Sequence, residues 1–285
     1  MIPLATVLIP TFNHGDTIKF ALDSALNQTV PVEIFIIGDG VPDAMRSTIK
    51  KLVAEHDCVR FFDNPKHERR GEPYRHEALK YAQGKIICYL CDRDLWLPDH
   101  VERMNTLLQD ADFVHSLSMH VLPGGGYRFY PVDLSLPQYR LEMLKVRNRV
   151  AFSCAAHTLS MYQALDEGWT TTPRGKATDW HMFQKFLGNS QCKTMSAYYP
   201  SAITFPSPGR LEWTEEQRIV ELSKWQEKLS TDIGRMKVVQ DVLEQSVQQR
   251  DVILAKRLRY IFLKYKYFSF ACGLAVRLWR TIRSL

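Results

Sequence analysis

Four short apolar runs alternate with helix-like segments over the first hundred residues. Ala5–Ile9 is closed by Pro10, and Glu33–Ile37 runs into Gly38-Asp39-Gly40. Val59–Phe62 is a third run. Lys85–Leu90 is a fourth and ends in Cys91-Asp92-Arg93-Asp94. Runs of this length read as buried strands. Asp16 precedes Ile18, Ala21, Leu22, Ala25 and Leu26, which is helical spacing behind an N-cap residue. Met45–Glu55 and Tyr74–Gln83 read as helices, the latter with Gly84 at its end, and Pro98 opens another. Strand–helix alternation implies an α/β fold, a mainly parallel sheet with helices on both faces. Ligands of such sheets sit beyond the carboxyl ends of the strands. Three of those ends carry polar residues: Thr11-Phe12-Asn13, Asp39, and Asp92 with Asp94.

Residues 112–205 are mixed, with a turn at Gly124-Gly125-Gly126 and helical spacing over Leu159–Leu165 and Asp179–Leu187. From Thr214 the chain reads as charged helix. This predicts a domain over residues 1–212 and a helical extension over 213–285. The net charge is +6, yet the stretch Lys256–Leu285 holds eight basic residues and no acidic one, leaving about −2 for the rest. The body is therefore not expected to bind nucleic acid. Six cysteines show no regular framework, and Cys88 and Cys91 fall on opposite faces of a strand, which speaks against a metal pair. Met1–Pro10 lacks a basic start and a long apolar core, so a cytoplasmic location is expected.

Each polar candidate has a structural reading beside its chemical one. Asp92 and Asp94, at the end of an apolar strand, suit a hard divalent cation shared with substrate phosphates; a solvated loop is the alternative. Asp39, between two glycines, suits hydrogen bonds from a nucleobase or ribose; a tight turn is the alternative. Arg75, at a helix start, suits a phosphate or base, against a surface ion pair with Glu72 or Glu77. Asp179 suits a general base, against a helix N-cap. His157 and Arg210 read as polar surface residues.

The combination resembles the family 2 glycosyltransferases of GT-A fold. The resemblance covers Ala5 to Phe186. It rests on Val7-Leu8-Ile9-Pro10-Thr11-Phe12-Asn13, on Ala21–Thr29, on Ile36-Ile37-Gly38-Asp39-Gly40 and on Asp92-Arg93-Asp94-Leu95-Trp96-Leu97-Pro98. It implies that a nucleotide-sugar donor is bound by Pro10, Thr11, Phe12, Asp39 and Arg75, with Asp92 at the ribose. It implies Asp94 as ligand of Mn2+ or Mg2+ and Asp179 as catalytic base of an inverting transfer to a glycan or lipid-linked hydroxyl. Two departures stand out. Arg93 occupies a place where the family usually has aspartate, and a cation there repels a metal ion or pairs with phosphate in its stead. Gly38 replaces another frequent aspartate.

The last thirty residues combine apolar helical spacing with lysine, arginine and aromatic residues. That pattern suits an anionic membrane surface over residues 254–285, helical packing on the chain's own domain, or a homo-oligomer contact. A nucleotidyltransferase is the first rival reading, but Pro10-Thr11-Phe12-Asn13 is not a Gly-rich phosphate loop. A catalytically silent scaffold, disabled by Arg93, is the second.

Overall fold

The computed structural model describes residues 2–252, 254–256 and 259. Eleven strands form in chain order: β1 (Ala5–Thr11), β2 (Val32–Asp39), β3 (Val59–Asn64), β4 (Ile86–Tyr89), β5 (Leu95–Trp96), β6 (Phe113–His115), β7 (Met119–Val121), β8 (Tyr127–Phe129), β9 (Ala155–Thr158), β10 (Thr194–Ser196) and β11 (Ala202–Ile203). The α-helices up to residue 229 are α1 (Thr17–Leu26), α2 (Asp43–Ala54), α3 (Glu72–Leu79), α4 (His100–Leu107), α5 (Pro137–Lys145), α6 (Leu159–Gln163), α7 (Thr178–Gly188) and α8 (Glu215–Leu229), and residues 232–252 are helical as well.

Seven strands make one sheet in the order β10-β6-β9-β4-β1-β2-β3. β9 runs antiparallel to β4 and β6, and the other pairs are parallel. The chain builds outward from β1 through β2 to β3, then returns to place β4 on the other side of β1. That reversal is a topological switch point, and a ligand crevice opens there past the strand ends. The alternation of the strands sets two cores. Val7, Ile9, Ile34 and Ile36 pack with Ile18 and Leu22 of α1 and Ile49 of α2 on one face. Leu8, Phe35 and Ile37 pack with Leu79 of α3 and Phe183 and Phe186 of α7 on the other.

Several local expectations are corrected. α3 stops at Leu79, well short of Gln83, and Gly84 is no helix cap. A side chain at Gly84 would put its Cβ 2.3 Å from the Thr6 backbone nitrogen, so glycine lets the two backbones meet where β4 begins. The helix after Pro98 starts at His100. Asp179 lies inside the first turn of α7, whose N-cap is Ala177. His157 and Arg210 are not surface residues; both are buried. His157 sits 2.7 Å from the Tyr89 hydroxyl, and Arg210 forms a two-pronged ion pair with Glu221.

The chain divides into two compact units, residues 1–239 and 240–285. The division falls after α8. The reason lies in α8's contacts: the Glu215 carboxylate accepts the Asp16 N–H at 2.7 Å, and Gln226 bonds Asp23 of α1. Thr214 and Gln217 close a capping box that starts the helix there. In the second unit residues 240–252 are helical. The basic aromatic segment at 254–285 lies almost wholly outside the described residues. Among the described residues no helix is long and apolar enough to cross a membrane.

Candidate functional site

The loops after β1, β2 and β4 meet at the switch point. Thr11 ends β1, and its hydroxyl donates to Asp92 Oδ2 at 2.7 Å. His14 Nδ1 lies 3.0 Å from the same oxygen. Burial pushes the Asp92 carboxyl up, but the His14 charge and hydrogen bond, with Arg93 and Thr11, hold it below the usual range. Pro10 precedes Thr11 on β1 and is half-buried; Phe12 is 37% exposed and offers an aromatic face.

Asp39 is the last residue of β2 and is buried. Its Oδ1 accepts the His67 N–H and its Oδ2 accepts from Lys66 Nζ, each at 2.6 Å. The Lys66 ammonium also lies 4.9 Å from the centre of the Phe12 ring. Gly40 (φ 71°) makes room for this loop, since a Cβ there would lie 2.5 Å from that of Lys66.

Arg75 is not in a surface ion pair. It is 5% exposed, and its guanidinium stacks 4.8 Å from the centre of the Trp169 ring. Nη2 donates to the Arg70 carbonyl at 2.8 Å, while Nε and Nη1 are buried without a partner. Burial lowers its pKa, and Glu72 foremost, with Asp39 among others, opposes this. A guanidinium stays protonated even so. Glu72, fully buried, is held in place by the Arg70 N–H at 2.9 Å.

Asp179 approaches from α7. Its Oδ1 accepts the Trp180 N–H at 2.8 Å and its Oδ2 accepts from Asn148 Nδ2 at 3.0 Å. Asn148 is fixed in turn because its Oδ1 accepts the Val150 N–H at 3.0 Å. Burial raises the Asp179 pKa, against the Trp180 N–H and the charges of Arg70 and Arg75. A carboxyl displaced upward toward neutrality suits proton transfer.

Asp94 is the carboxylate that the resemblance assigns to a cation. Its Oδ1 accepts the Phe205 N–H at 2.8 Å and its Oδ2 accepts the Ser153 hydroxyl at 2.5 Å. Burial raises its pKa, opposed first by the neighbouring Arg93. Arg93 Nε donates to the Phe205 carbonyl at 3.2 Å and Nη1 reaches Asp92 at 3.4 Å. Among the described residues no three His, Cys, Asp or Glu side chains could hold a metal ion together. One buried carboxylate, hydrogen-bonded at both oxygens and flanked by a guanidinium, does not fit a resident divalent cation. Cys88 and Cys91 are unpaired thiols, and burial raises both pKa values.

Sequence reasoning missed His14, Lys66, Asn148, Ser153 and Trp169. None lies in a motif, and each reaches the site only through the fold. A wide groove along α8, lined by Trp213, Val220 and Trp225 among others, contains none of the site residues.

The family model described as Glycosyl transferase family 2 matches residues 6–169, more than half of the chain. The chain belongs to glycosyl transferase family 2. It is 33% identical over 128 residues to chondroitin synthase of Pasteurella multocida, a match covering 44% of this chain and 13% of that one. A β-1,3-glucosyltransferase of Escherichia coli that acts on GlcNAc-diphosphoundecaprenol is 26% identical over 106 residues, covering 37% of this chain and 41% of that protein. These matches span well under two thirds of either relative. The fold matches S. aureus TarS (residues 1–349) at TM-score 0.56 and 14% identity, over 73% of this chain and 62% of that one. It matches a Pyrobaculum calidifontis mannosyltransferase, solved with GDP-Man and Mn2+, at TM-score 0.56 and 21% identity, over 75% and 60%. The family 2 sheet is thus the GT-A fold expected from the sequence.

Proposed function

We propose that this family 2 domain transfers a sugar from a nucleoside-diphosphate donor to a hydroxyl of a glycan or lipid-linked acceptor, with inversion. The observation that carries this reading is Arg75. A buried guanidinium with two unpartnered nitrogens, at the carboxyl edge of a parallel sheet, is a site prepared for acceptor atoms of a ligand. Pro10, Thr11 and Phe12 would line the base, with Asp39 hydrogen-bonding it after Lys66 swings aside. Asp92 would take the ribose.

Asp179 would act as general base. As the acceptor oxygen attacks the anomeric carbon from the face opposite the leaving group, its proton passes to the carboxylate. The bond from the anomeric carbon to the phosphate oxygen breaks, and the nucleoside diphosphate departs with the electron pair. Relatives that name UDP-Glc or are solved with UDP-GlcNAc or GDP-Man support this donor class. Mn2+ or Mg2+, expected from the resemblance, has no step in this reading, because the donor set around Asp94 does not fit one.

D179N tests the mechanism. Donor binding should stay within about threefold while turnover falls at least a hundredfold, the scale of a lost general base. Unchanged turnover, followed as release of nucleoside diphosphate, would remove Asp179 from the reaction. A silent scaffold would bind donor and release none in the unaltered protein.

A further inference from the structure

A leaving diphosphate needs positive charge, and the positive charge at this switch point is arginine. Arg93 follows β4, and its side chain keeps 22% of its surface exposed. Arg218 comes from far along the chain, in the first turns of α8. Glu215 and Arg218 are three residues apart on that helix and share a face. Glu215 points at the loop after β1, where a Cβ on Gly15 would overlap its carboxylate. Arg218 lies on that face, its guanidinium reaches the Arg210 carbonyl, and it feels the charges of Arg93 and Asp92.

Arg93 lies beside Asp92 and Asp94, and those carboxylates favour its charged form. Arg210 is used up by Glu221 through two short bonds. Asp92 is shared among Thr11, His14 and Arg93. Arg218 donates to the Arg210 carbonyl and forms no ion pair among the described residues. Its pKa is lowered by burial, then by the like charges of Arg93 and Arg210, with Glu221 and Asp92 opposing. A guanidinium without an ion pair, close to a second one, keeps donors for an anion.

We propose that Arg93 and Arg218 together clamp the donor's diphosphate and take over the charge neutralisation that a divalent cation would supply. The proposal rests on the reading of the chain as a nucleotide-sugar transferase. It turns the Arg93 departure into a working part of the site, and it makes α8 a contributor to that site. Only the terminal phosphate reaches the clamp, so its worth is confined to ligands that have one.

The test is calorimetric titration of the full chain with uridine, UMP, UDP and GDP, in EDTA and again with Mn2+. The preferred diphosphate should bind in EDTA within about threefold of its affinity with Mn2+. R218A should weaken that diphosphate at least tenfold, the size of one lost charge-assisted hydrogen bond. The same variant should leave the corresponding nucleoside unchanged, which a merely structural role of Arg218 would not predict. R218K should recover part of the loss. R93A should act in the same direction; because Arg93 also bonds Phe205 and Asp92, its melting temperature is measured alongside, and R218A decides if R93A unfolds. Diphosphate binding that vanishes in EDTA and returns with Mn2+ overturns the clamp and leaves the transferase reading standing. Equal loss of nucleoside and diphosphate in R218A also overturns it. Absence of nucleotide binding in the unaltered chain under both conditions overturns the transferase reading itself.

Discussion

In the proposed transfer Arg75 and Asp179 would do different work from one cluster. Burial disfavours the charged form of each; Glu72 foremost relieves Arg75, and the charges of Arg70 and Arg75 relieve Asp179. Arg75→Ala would remove the unpaired donors and should weaken donor binding by about 1.5–3 kcal/mol, the usual worth of hydrogen bonds from a charged group. Titration calorimetry reads that loss directly. The Asn148 amide aims the Asp179 carboxylate and favours its ionised form. The base works deprotonated, so turnover should fall as pH drops through its raised pKa. N148A removes a donor to the carboxylate and should move that acid limb to higher pH, with kcat affected more than KM. An unmoved limb in the pH–rate profile would take Asn148 out of the mechanism. In the proposed donor pose Asp39 also depends on a neighbour, since Lys66 Nζ donates to its Oδ2 and would have to leave it for a base.

Strands β1 and β4 hold the site because their carboxyl ends lie side by side at the reversal of the sheet. Their register is set by Ala5 to Leu8 against Ile86 to Tyr89. Gly84 guards the start of that pairing. Gly84→Ala would drive a Cβ into the Thr6 and Ala5 backbones, which cannot yield as a flexible side chain does. The expected cost is about 1–3 kcal/mol, as for other overpacked core positions, read as a lower denaturation midpoint with the slope unchanged. Helix α1 was legible from its apolar spacing, since Ile18, Ala21, Leu22 and Ala25 are all buried. Its start was legible for the wrong reason. Asp16 makes no cap bond; its side chain pairs with Lys19 while its N–H goes to Glu215.

The first unit as a whole keeps His100, His115 and His157 buried and neutral. Burial pushes their pKa values down to about 3, 4 and 4. Their unfolded values lie near 6.5, so the unfolded chain binds more protons below that pH. Stability from these groups is present above about pH 6.5 and is lost as pH falls toward 4. The denaturant midpoint should therefore drop steadily from pH 7 to pH 4.5. Arg210 and Glu221 tie α8 to the loop that carries Phe205. R210A would strand a largely buried carboxylate at a cost of about 3–5 kcal/mol. The sequence alone determined the strand–helix alternation, the polar strand ends and the family, because apolar period and short motifs are local properties of a chain. Asp39, Asp92, Asp94 and Asp179 were singled out as candidates that way. Only the tertiary structure decided which atoms those carboxylates face. Asp94 is taken by Ser153 and Phe205, Asp179 by Asn148, and Asp92 by His14 and Arg93. Those partners come from distant segments or unmarked positions, and burial, which sets the charge state of each carboxyl, exists only once the segments have packed.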